Sequence, residues 1–278
     1  MRNKQSANAK INLCLHVTGQ RGDGYHLLDS LVAFADFGDI VEFSAADTFS
    51  LTIDGPFGRY LNAGDDNLIA RAAVALGCGY AKVHLTKNLP VSSGIGGGSA
   101  DAAAALRGLG DLWNVDLPVD GGLSLGADVP VCLAGGTQRM QGIGDQLSEI
   151  NFLPPLAAVL VNSGDAISTP MVFNYLTNKT NADIGDLPKT SLNFDAAIIY
   201  LRQLRNDLQI PAMAQTPNIT RVLHALADTK AALTRMSGSG ATCFGLYENT
   251  MQAAQAAQTL SGENPNWWVK SVTLNSRG

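Results

Sequence analysis

A turn rich in glycine at residues 92–99, with the sequence Ser-Ser-Gly-Ile-Gly-Gly-Gly-Ser, is the stretch of this chain best suited to chemistry. Glycine reaches positive φ without strain and leaves no Cβ in the way of a ligand. An alanine-rich segment, predicted to be a helix over Ser99–Leu112, follows at once. Free N–H groups and the positive end of the helix dipole would therefore converge on the turn, an arrangement that favours phosphate.

Two common phosphate-binding motifs do not fit this turn. A P-loop requires a lysine before the Ser or Thr at the helix start, and Gly98-Ser99-Ala100 has none. The dinucleotide fingerprint requires a third glycine where Ser99 stands. The alternative is a surface turn that merely caps the helix, but four glycines in the five positions 94–98 are a heavy entropic cost for a connector.

Composition indicates an ordered protein and restricts its partners. The chain has 278 residues, of which 46% are hydrophobic and 15% charged, as in globular proteins with a real core. The net charge of −5 argues against a nucleic-acid or anionic-membrane partner, but not against an anionic small molecule. The apolar run after the basic segment Met1–Lys10 is too short for a membrane helix or a secretory signal. We therefore expect a cytoplasmic protein.

The four cysteines, Cys14, Cys78, Cys132 and Cys243, stand far apart and form no C-x-x-C pair. Neither a zinc site nor a redox couple is expected from this spacing. Reduced, packed thiols are the default for a cytosolic chain.

Hydrophobic periodicity predicts strands mixed with helices without a regular βαβ repeat, which favours an α+β fold. The predicted strands are Ala9–Val17, Tyr25–Phe37, Ile40–Phe43, Phe49–Ile53, Ala81–Thr86, Gly136–Met140, Leu156–Val161, Ala241–Tyr247 and Trp267–Thr273. The predicted helices are 68–76, capped by Asp65 or Asp66, and then Ser99–Leu112, Thr169–Leu176, Asp195–Leu204, Asn218–Leu226 and Gln252–Leu260. Pro154-Pro155 indicates a boundary near residue 150, which predicts two domains, 1–150 and 151–278.

Three blocks in consistent order resemble the motifs of the GHMP small-molecule kinases. Ala9-Lys-Ile-Asn-Leu13 resembles the first motif, Pro90-x3-Gly-Ile-Gly-Gly-Gly-Ser-Ala100 the second, and Met236-Ser-Gly-Ser-Gly-Ala-Thr242 the third. The resemblance spans about residues 7–247. It implies the two-domain α+β fold of that family, with ATP and substrate in the cleft between the domains. It also implies transfer of the γ-phosphoryl group of ATP, with Mg²⁺, to a small hydroxylated substrate.

Three further stretches resemble one branch of the family. They are Gly19-x-Arg-x-Asp-Gly-Tyr-His26, Leu125-Gly-Ala-Asp-Val-Pro130 and Gly142-Ile-Gly144. That branch phosphorylates the tertiary 2-hydroxyl of a methylerythritol unit carrying a cytidine diphosphate, in the non-mevalonate route to isoprenoids. One alternative is a homoserine or mevalonate type of kinase, which would not need the Tyr-His pair. The other is a non-catalytic member of the fold, which would not need Lys10 and Asp128.

The resemblance implies that Asp128 is the catalytic base and Lys10 its partner. An alcohol is a poor nucleophile until its proton leaves, so a carboxylate within reach assists the reaction. A nearby ammonium offsets charge that builds on the phosphoryl group. The alternatives are a helix N-cap for Asp128 and a solvated strand end for Lys10. The segment Pro118–Leu125 is shorter than in the family and holds two glycines, a deletion that bears on the position of Asp128.

The resemblance also implies substrate contacts at Asn12, Tyr25, His26, Thr169 and Phe173. Tyr25 would stack on the cytosine and Phe173 would cover its other face, while His26 would bond its Watson–Crick edge. An aromatic face suits any base, so discrimination must come from the polar partner. Phe173 equally fits a core position on a helix.

Nucleotide contacts are implied for the second motif and for Asn67, which resembles the position that reaches the adenine pocket. Ser99 is a candidate for contact with Mg²⁺ or with a β-phosphate oxygen, and alternatively a plain N-cap. The third motif either lines the substrate pocket or turns into the strand that follows. A monomer or weak homodimer is expected. The full nucleotide-binding set is Asn67, Val91, Ser92, Ser93, Gly94, Ile95, Gly96, Gly97, Gly98, Ser99, Ala100 and Asp101.

Overall fold

The computed structural model describes residues 3–77 and 79–275, which fold into two compact units. The first unit comprises the described residues up to Lys10 together with Phe37–Val91 and Gly96–Gly135. The second comprises Ile11–Asp36, Ser92–Ile95 and the described residues from Gly136 onward. The units interleave along the chain. The predicted division into 1–150 and 151–278 stays a prediction.

Strands and helices alternate irregularly, which confirms the α+β prediction. The strands are β1 Asn3–Gln20, β2 His26–Ala45, β3 Ser50–Asp54, β4 Ala81–Thr86, β5 Gln138–Gly142, β6 Gln146–Glu149, β7 Leu156–Asn162, β8 Leu233–Met236, β9 Cys243–Tyr247 and β10 Trp268–Leu274. The helices are α1 Leu68–Ala75, α2 Gly97–Trp113, α3 Val129–Ala134, α4 Thr169–Asn174, α5 Phe194–Gln203, α6 Gln209–Gln215, α7 Asn218–Asp228 and α8 Thr250–Glu263. A 3-10 turn lies at Gly58–Tyr60.

The first unit places α2 against a small sheet. Ile40–Ala45 of β2 pairs antiparallel with β4, and β4 pairs in parallel with β3. α2 packs against α1 and α3, and its run Ala102–Leu106 is fully buried. A Cβ on Gly108 would lie 2.2 Å from the ring of Phe43, so only glycine lets the helix approach β2 this closely. The short side chains of α2 therefore fix its distance from the sheet.

The second unit is built on β7, which is buried along its whole length. β10 pairs antiparallel with β7, β7 with β9, and β9 with β8. Leu28–Val32 of β2 pairs antiparallel with β5, and β5 pairs with β6. Apolar side chains of α4, α6, α7 and α8 pack with those of β7 and β9 in one core.

Three details of the predicted elements are wrong. The N-cap of α1 is Asn67, rather than Asp65 or Asp66, because its Oδ1 accepts the N–H of Ile69 at 2.9 Å. The two predicted strands Tyr25–Phe37 and Ile40–Phe43 form the single strand β2, which begins at His26. The strand continues through Gly38, where a Cβ would lie 2.2 Å from the carbonyl oxygen of Ala7.

The third error concerns α2, which begins at Gly97, two residues earlier than predicted. The N–H groups of a first helical turn have no partner within the helix, so glycines can form this turn without a side-chain cap. The pattern predicts none of β6, α6 and β8, which are too short to show a period.

Cys14, Cys132 and Cys243 are free and buried, as the packing prediction requires, whereas Cys78 lies outside the described residues. Burial raises the pKa of the Cys14 and Cys132 thiols to about 12, so both stay protonated near neutral pH. Among the helices of residues 3–77 and 79–275, none combines the length and the hydropathy that a membrane span requires.

Candidate active site

The second half of the glycine turn, Gly96–Ser99, forms the start of α2. Gly96 precedes the helix with a φ of 65°, and its carbonyl accepts the N–H of Ala100 at 2.8 Å. Gly96 has no side chain with which to cap this end of the helix. Gly98 is exposed, and Gly97 and Ser99 are half-buried. The first-turn N–H groups are thus presented at an open helix N-terminus, the geometry that suits a phosphate.

Lys10 and Asp128 form an ion pair in the first unit. Lys10 Nζ lies 2.7 Å from Asp128 Oδ2. The side chain of Lys10 is only 4% exposed and that of Asp128 is 34% exposed, so the carboxylate keeps an open side. Asp128 precedes α3 but makes no side-chain cap bond. Asp128 thus occupies the N-cap position of α3, as its alternative predicted, but its carboxylate pairs with Lys10 instead of capping the helix. The solvated-strand-end alternative for Lys10 is wrong.

The ion pair lies beside the start of α2. A Cβ on Gly96 would lie 3.1 Å from Lys10 Cβ and 3.3 Å from its Cε, so the lysine stem runs along this glycine. Ser99 is the third residue of α2 rather than its cap, which makes the N-cap alternative wrong. A Cβ on Gly126 would lie 3.7 Å from Ser99 Oγ. The serine hydroxyl therefore faces the segment that leads into Asp128.

That segment is a series of hydrogen-bonded turns. The Asp120 carboxylate accepts the N–H groups of Ser124 and Gly122, both at 2.9 Å. Bonds from Ser124, and then the bond from Gly122, lower the pKa of Asp120. Gly122 has a φ of +80°, and a Cβ there would lie 2.7 Å from Val129 Cγ1. The glycines of the shortened segment are thus required by tight turns. Despite the deletion, the segment brings Asp128 to Lys10.

The first half of the glycine turn, Ser92–Ile95, packs on the third motif in the second unit. The Ser93 carbonyl accepts the N–H of Thr242 at 3.0 Å, and Ser237 Oγ donates to the carbonyl of Gly94 at 3.0 Å. A Cβ on Gly94 would lie 2.5 Å from the carbonyl oxygen of Ser237. Glycine is required at position 94 by backbone packing rather than by room for a ligand. The third motif therefore supports the turn.

Asn12 lies among hydroxyl groups of the second unit. Its Nδ2 donates to Ser30 Oγ at 2.8 Å, and its backbone N–H donates to Ser237 Oγ at 3.1 Å. Its Oδ1 is buried and has no partner among the described residues. A buried acceptor without a partner is unusual and suits a ligand that donates a hydrogen bond.

His26 and Phe173 are brought together, whereas Tyr25 is 59% exposed. The two rings stack with centroids 4.6 Å apart and planes 24° from parallel. His26 Nε2 is buried without a partner in the described part of the chain. Burial, and then Lys179, lower the pKa of His26, so its ring is neutral at pH 7 and offers one donor and one acceptor. Phe173 also packs at the edge of the core, as its alternative interpretation predicted.

The remaining predicted contact residues differ in how far their side chains are free to meet a ligand. Thr169 Oγ1 lies 2.7 Å from Ser239 Oγ of the third motif. Asn67 caps α1, and its Nδ2 donates to the carbonyl of Asn62 at 2.9 Å. Val91 is half-buried and Ser92 is exposed. The others have buried side chains, which leaves their backbone groups for any ligand: Ser93, Ile95, Ala100 and Asp101. Their roles stay predictions.

A buried cluster near this site, formed by Lys87, Asp39 and Asp101, was not predicted from the sequence motifs. Lys87 Nζ lies 2.5 Å from both Asp39 Oδ2 and Asp101 Oδ2. The alternation of buried positions along the strands does indicate two of these residues. Lys87 continues the buried alternation Ala81, Val83, Leu85 of β4, and Asp39 shares the buried face of β2 with Val41 and Phe43. A charge on the buried face of a strand predicts a buried partner.

Family models and relatives that span nearly the whole chain match this sequence. Residues 67–150 match the model of the GHMP kinases N terminal domain, and residues 193–266 match that of the GHMP kinases C terminal. The 4-diphosphocytidyl-2-C-methyl-D-erythritol kinase of Dinoroseobacter shibae is 52% identical over 270 residues, 96% of this chain and 93% of that one. The kinase of the same name from Ruegeria pomeroyi is 53% identical over 267 residues, 94% of this chain and 95% of that one.

A solved structure is similar along the whole chain. The crystal structure of a 4-(cytidine 5'-diphospho)-2C-methyl-D-erythritol kinase superposes with a TM-score of 0.81 at 30% identity and covers 100% of both chains.

Proposed function

Because this chain belongs to the GHMP kinases, and is about half identical along nearly its whole length to members named for one substrate, we propose that it phosphorylates 4-diphosphocytidyl-2-C-methyl-D-erythritol. ATP is the phosphate donor, and the acceptor is the 2-hydroxyl of the methylerythritol unit in the non-mevalonate pathway to isoprenoids. The observation that carries the chemistry is the half-open ion pair of Lys10 and Asp128 beside the uncapped start of α2.

In the proposed reaction Asp128 receives the proton of the acceptor hydroxyl. The hydroxyl oxygen forms a bond to the γ-phosphorus as the bond from that phosphorus to the bridging oxygen breaks, and ADP leaves. Phosphoryl transfer depends mainly on positioning and charge stabilisation, because the transition state is loose. Lys10 Nζ, 2.7 Å from Asp128, holds the carboxylate in place and offsets charge on the phosphoryl oxygens. The N–H groups at the start of α2 bind the phosphates of ATP.

Mg²⁺ is part of the proposal through Ser99. Mg²⁺ usually keeps several waters and is held by few protein groups together with substrate phosphates. A Ser or Thr hydroxyl at a phosphate-binding helix start is one such group in P-loop enzymes, so the position of Ser99 fits the ion. When bound, the ion neutralises charge on the phosphates. Removing Mg²⁺ with a chelator is expected to abolish ADP release and restoring it to recover the activity. Full activity in excess chelator would remove Mg²⁺ from the proposal.

The second unit holds the cytidine end of the substrate in this proposal. His26 has a buried ring nitrogen without a partner in the described residues, which suits the edge of a base. Tyr25 and Phe173 supply aromatic faces, and Asn12 and Thr169 supply polar groups for the sugar or the methylerythritol unit. The partner is thus a small molecule. A cytoplasmic location, a monomeric or weakly dimeric state and the absence of nucleic-acid and membrane partners stay predictions.

An ADP-release assay tests the function. Purified protein with ATP and Mg²⁺ is given 4-diphosphocytidyl-2-C-methyl-D-erythritol, homoserine or mevalonate in parallel. ADP release is expected only with the first, and loss of the cytidine moiety is expected to abolish it, because the base carries the polar recognition. Activity only with homoserine or mevalonate would refute the substrate and leave the fold intact. ATP binding without turnover on any candidate alcohol would favour a non-catalytic member of the fold.

A further inference from the structure

Beneath the start of α2 lies a cluster of three ionisable side chains that the proposed reaction does not use. Lys87, Asp39 and Asp101 are all at most 3% exposed. The second oxygen of Asp39, Oδ1, accepts the N–H groups of Asn88 and Leu89 at 2.5 and 2.8 Å. Asp39 on β2 thus holds the Lys87 side chain and the backbone of the segment that runs from β4 towards the glycine turn.

Lys87 reaches the helix start at two places. Its ammonium pairs with Asp101, which lies on α2 four residues, about one turn, after Gly97. A Cβ on Gly97 would itself lie 3.2 Å from Lys87 Nζ and 3.6 Å from Leu89 Cβ. The ammonium therefore lies directly beneath the first turn of the helix, and the absence of a side chain at position 97 leaves it there without a clash.

We propose that Lys87 is a positioning residue for the phosphates of ATP. Its ammonium joins β2 and β4 to the first turn of α2, and so fixes the direction in which the N–H groups of Gly97, Gly98 and Ser99 point. A binding group must be held within about 0.5 Å of its working position, and supporting hydrogen bonds supply that precision. The inference rests on the proposed binding of ATP at this helix start.

The cluster is better suited to positioning than to stability. Desolvation offsets most of the attraction within a buried ionic cluster, so replacing the whole cluster by well-packed hydrophobic residues of similar volume is often neutral for folding. Removing one partner alone is strongly destabilising, because a buried charge is left unpaired. A variant that replaces all three ionisable groups at once therefore separates the two roles.

The decisive experiment uses the full chain with Lys87→Met, Asp39→Asn and Asp101→Asn combined. An amide oxygen at position 39 still accepts the N–H groups of Asn88 and Leu89. Calorimetry measures the Kd for ATP in the presence of Mg²⁺, and thermal unfolding measures the Tm. The triple variant is expected to melt within a few degrees of the parent and to bind ATP about tenfold more weakly. Its Kd for the cytidine substrate is expected to stay within about twofold, since those contacts are not touched.

A matched control removes a comparable buried ion pair in the second unit. Arg139 Nη2 lies 2.7 Å from Asp29 Oδ2, and Asp29 is 1% exposed. The double variant Arg139→Met, Asp29→Asn is expected to leave the Kd for ATP within about twofold of the parent. An equal loss of ATP affinity in this control would overturn the positioning role, because the loss would then follow from removing any buried pair.

A folded triple variant that binds ATP as tightly as the parent would overturn the positioning role alone. A parent protein that binds no ATP would overturn the proposed function and this inference with it. If the triple variant does not fold, Asp101→Asn decides, because it keeps Lys87 paired with Asp39 and loosens only the hold on α2. This variant is expected to stay folded and to bind ATP about threefold more weakly, and parental affinity would overturn the role.

Discussion

Two ammonium–carboxylate groups lie beside the start of α2 in the first unit, and they differ in their access to solvent. In the pair of Lys10 and Asp128 the carboxylate is 34% exposed. In the cluster of Lys87, Asp39 and Asp101 every member is buried. A carboxylate with an open side can receive a proton from an arriving hydroxyl, whereas an enclosed one acts only on the chain around it. Similar side chains thus give a candidate catalytic group and a candidate positioning group.

The largest expected effect comes from the open pair. Asp128→Asn keeps the shape of the side chain but removes the proton acceptor, so kcat is expected to fall by about 10²–10⁴. The Tm is expected to change little, because water solvates the open side. Steady-state ADP release measures kcat, and Asp116→Asn, an exposed carboxylate in the same unit, is the control. A kcat near that of the parent would exclude Asp128 as the base, and the open pair would then have no catalytic role to set against the enclosed cluster.

The second-largest expected effect is on stability, and there the enclosed cluster matters more than the open pair. Lys87→Met leaves the buried carboxyl groups of Asp39 and Asp101 without their ammonium partner, and the free energy of unfolding is expected to fall by about 3–5 kcal/mol. Lys10→Met leaves only a carboxylate that water reaches, and the expected loss is below about 1 kcal/mol. Urea unfolding of the two variants against the parent measures both values. Equal losses would show that exposure does not distinguish the two groups.

Two neighbouring glycines sharpen the comparison further. Gly96→Ala adds a Cβ at φ +65° that lies 3.1 Å from Lys10 Cβ, so backbone strain of about 1 kcal/mol and a lower kcat are expected. Gly97→Ala crowds Lys87 Nζ at 3.2 Å without positive φ, and there the Kd for ATP is expected to rise with a smaller effect on kcat. Steady-state kinetics and calorimetry on both variants check this division. If both variants lowered kcat alone, the helix start would depend only on the open pair.

The sequence predicts the open pair far better than the enclosed cluster. Lys10 and Asp128 each lie within an unbroken stretch of sequence that resembles a family motif. The α+β class follows from the irregular order of strands and helices. The cluster joins β2, the end of β4 and α2, and no motif spans these elements. The alternation of buried positions in β4 indicates that Lys87 is enclosed, but it does not say by which carboxylates. Pairings between distant elements depend on tertiary packing, which local periodicity does not encode.

The smallest expected effect is a change in how steeply the free energy of unfolding depends on pH, and it tests the enclosed cluster alone. Burial raises the pKa of Asp101 from 3.8 to about 8; Lys87 opposes the rise and Asp39 adds to it. Between these two values the folded chain binds one proton more than the unfolded chain. Stability should therefore fall as the pH rises from about 4 to about 8, by at most about 1.4 kcal/mol per pH unit, and this group adds no slope outside that window.

Asp101→Asn removes the titrating group and keeps its volume, so its free energy of unfolding is expected to fall less steeply with pH than that of the parent. Urea unfolding at several pH values inside the window measures both slopes. Asp128→Asn, which changes a carboxylate outside the cluster, is the matched control. In this variant the part of the pH dependence that comes from Asp101 is expected to be the same as in the parent. Identical slopes for Asp101→Asn and the parent would mean that Asp101 is ionised throughout. The enclosed cluster would then carry a net negative charge beneath the proposed phosphate site, which would oppose rather than assist the binding of ATP.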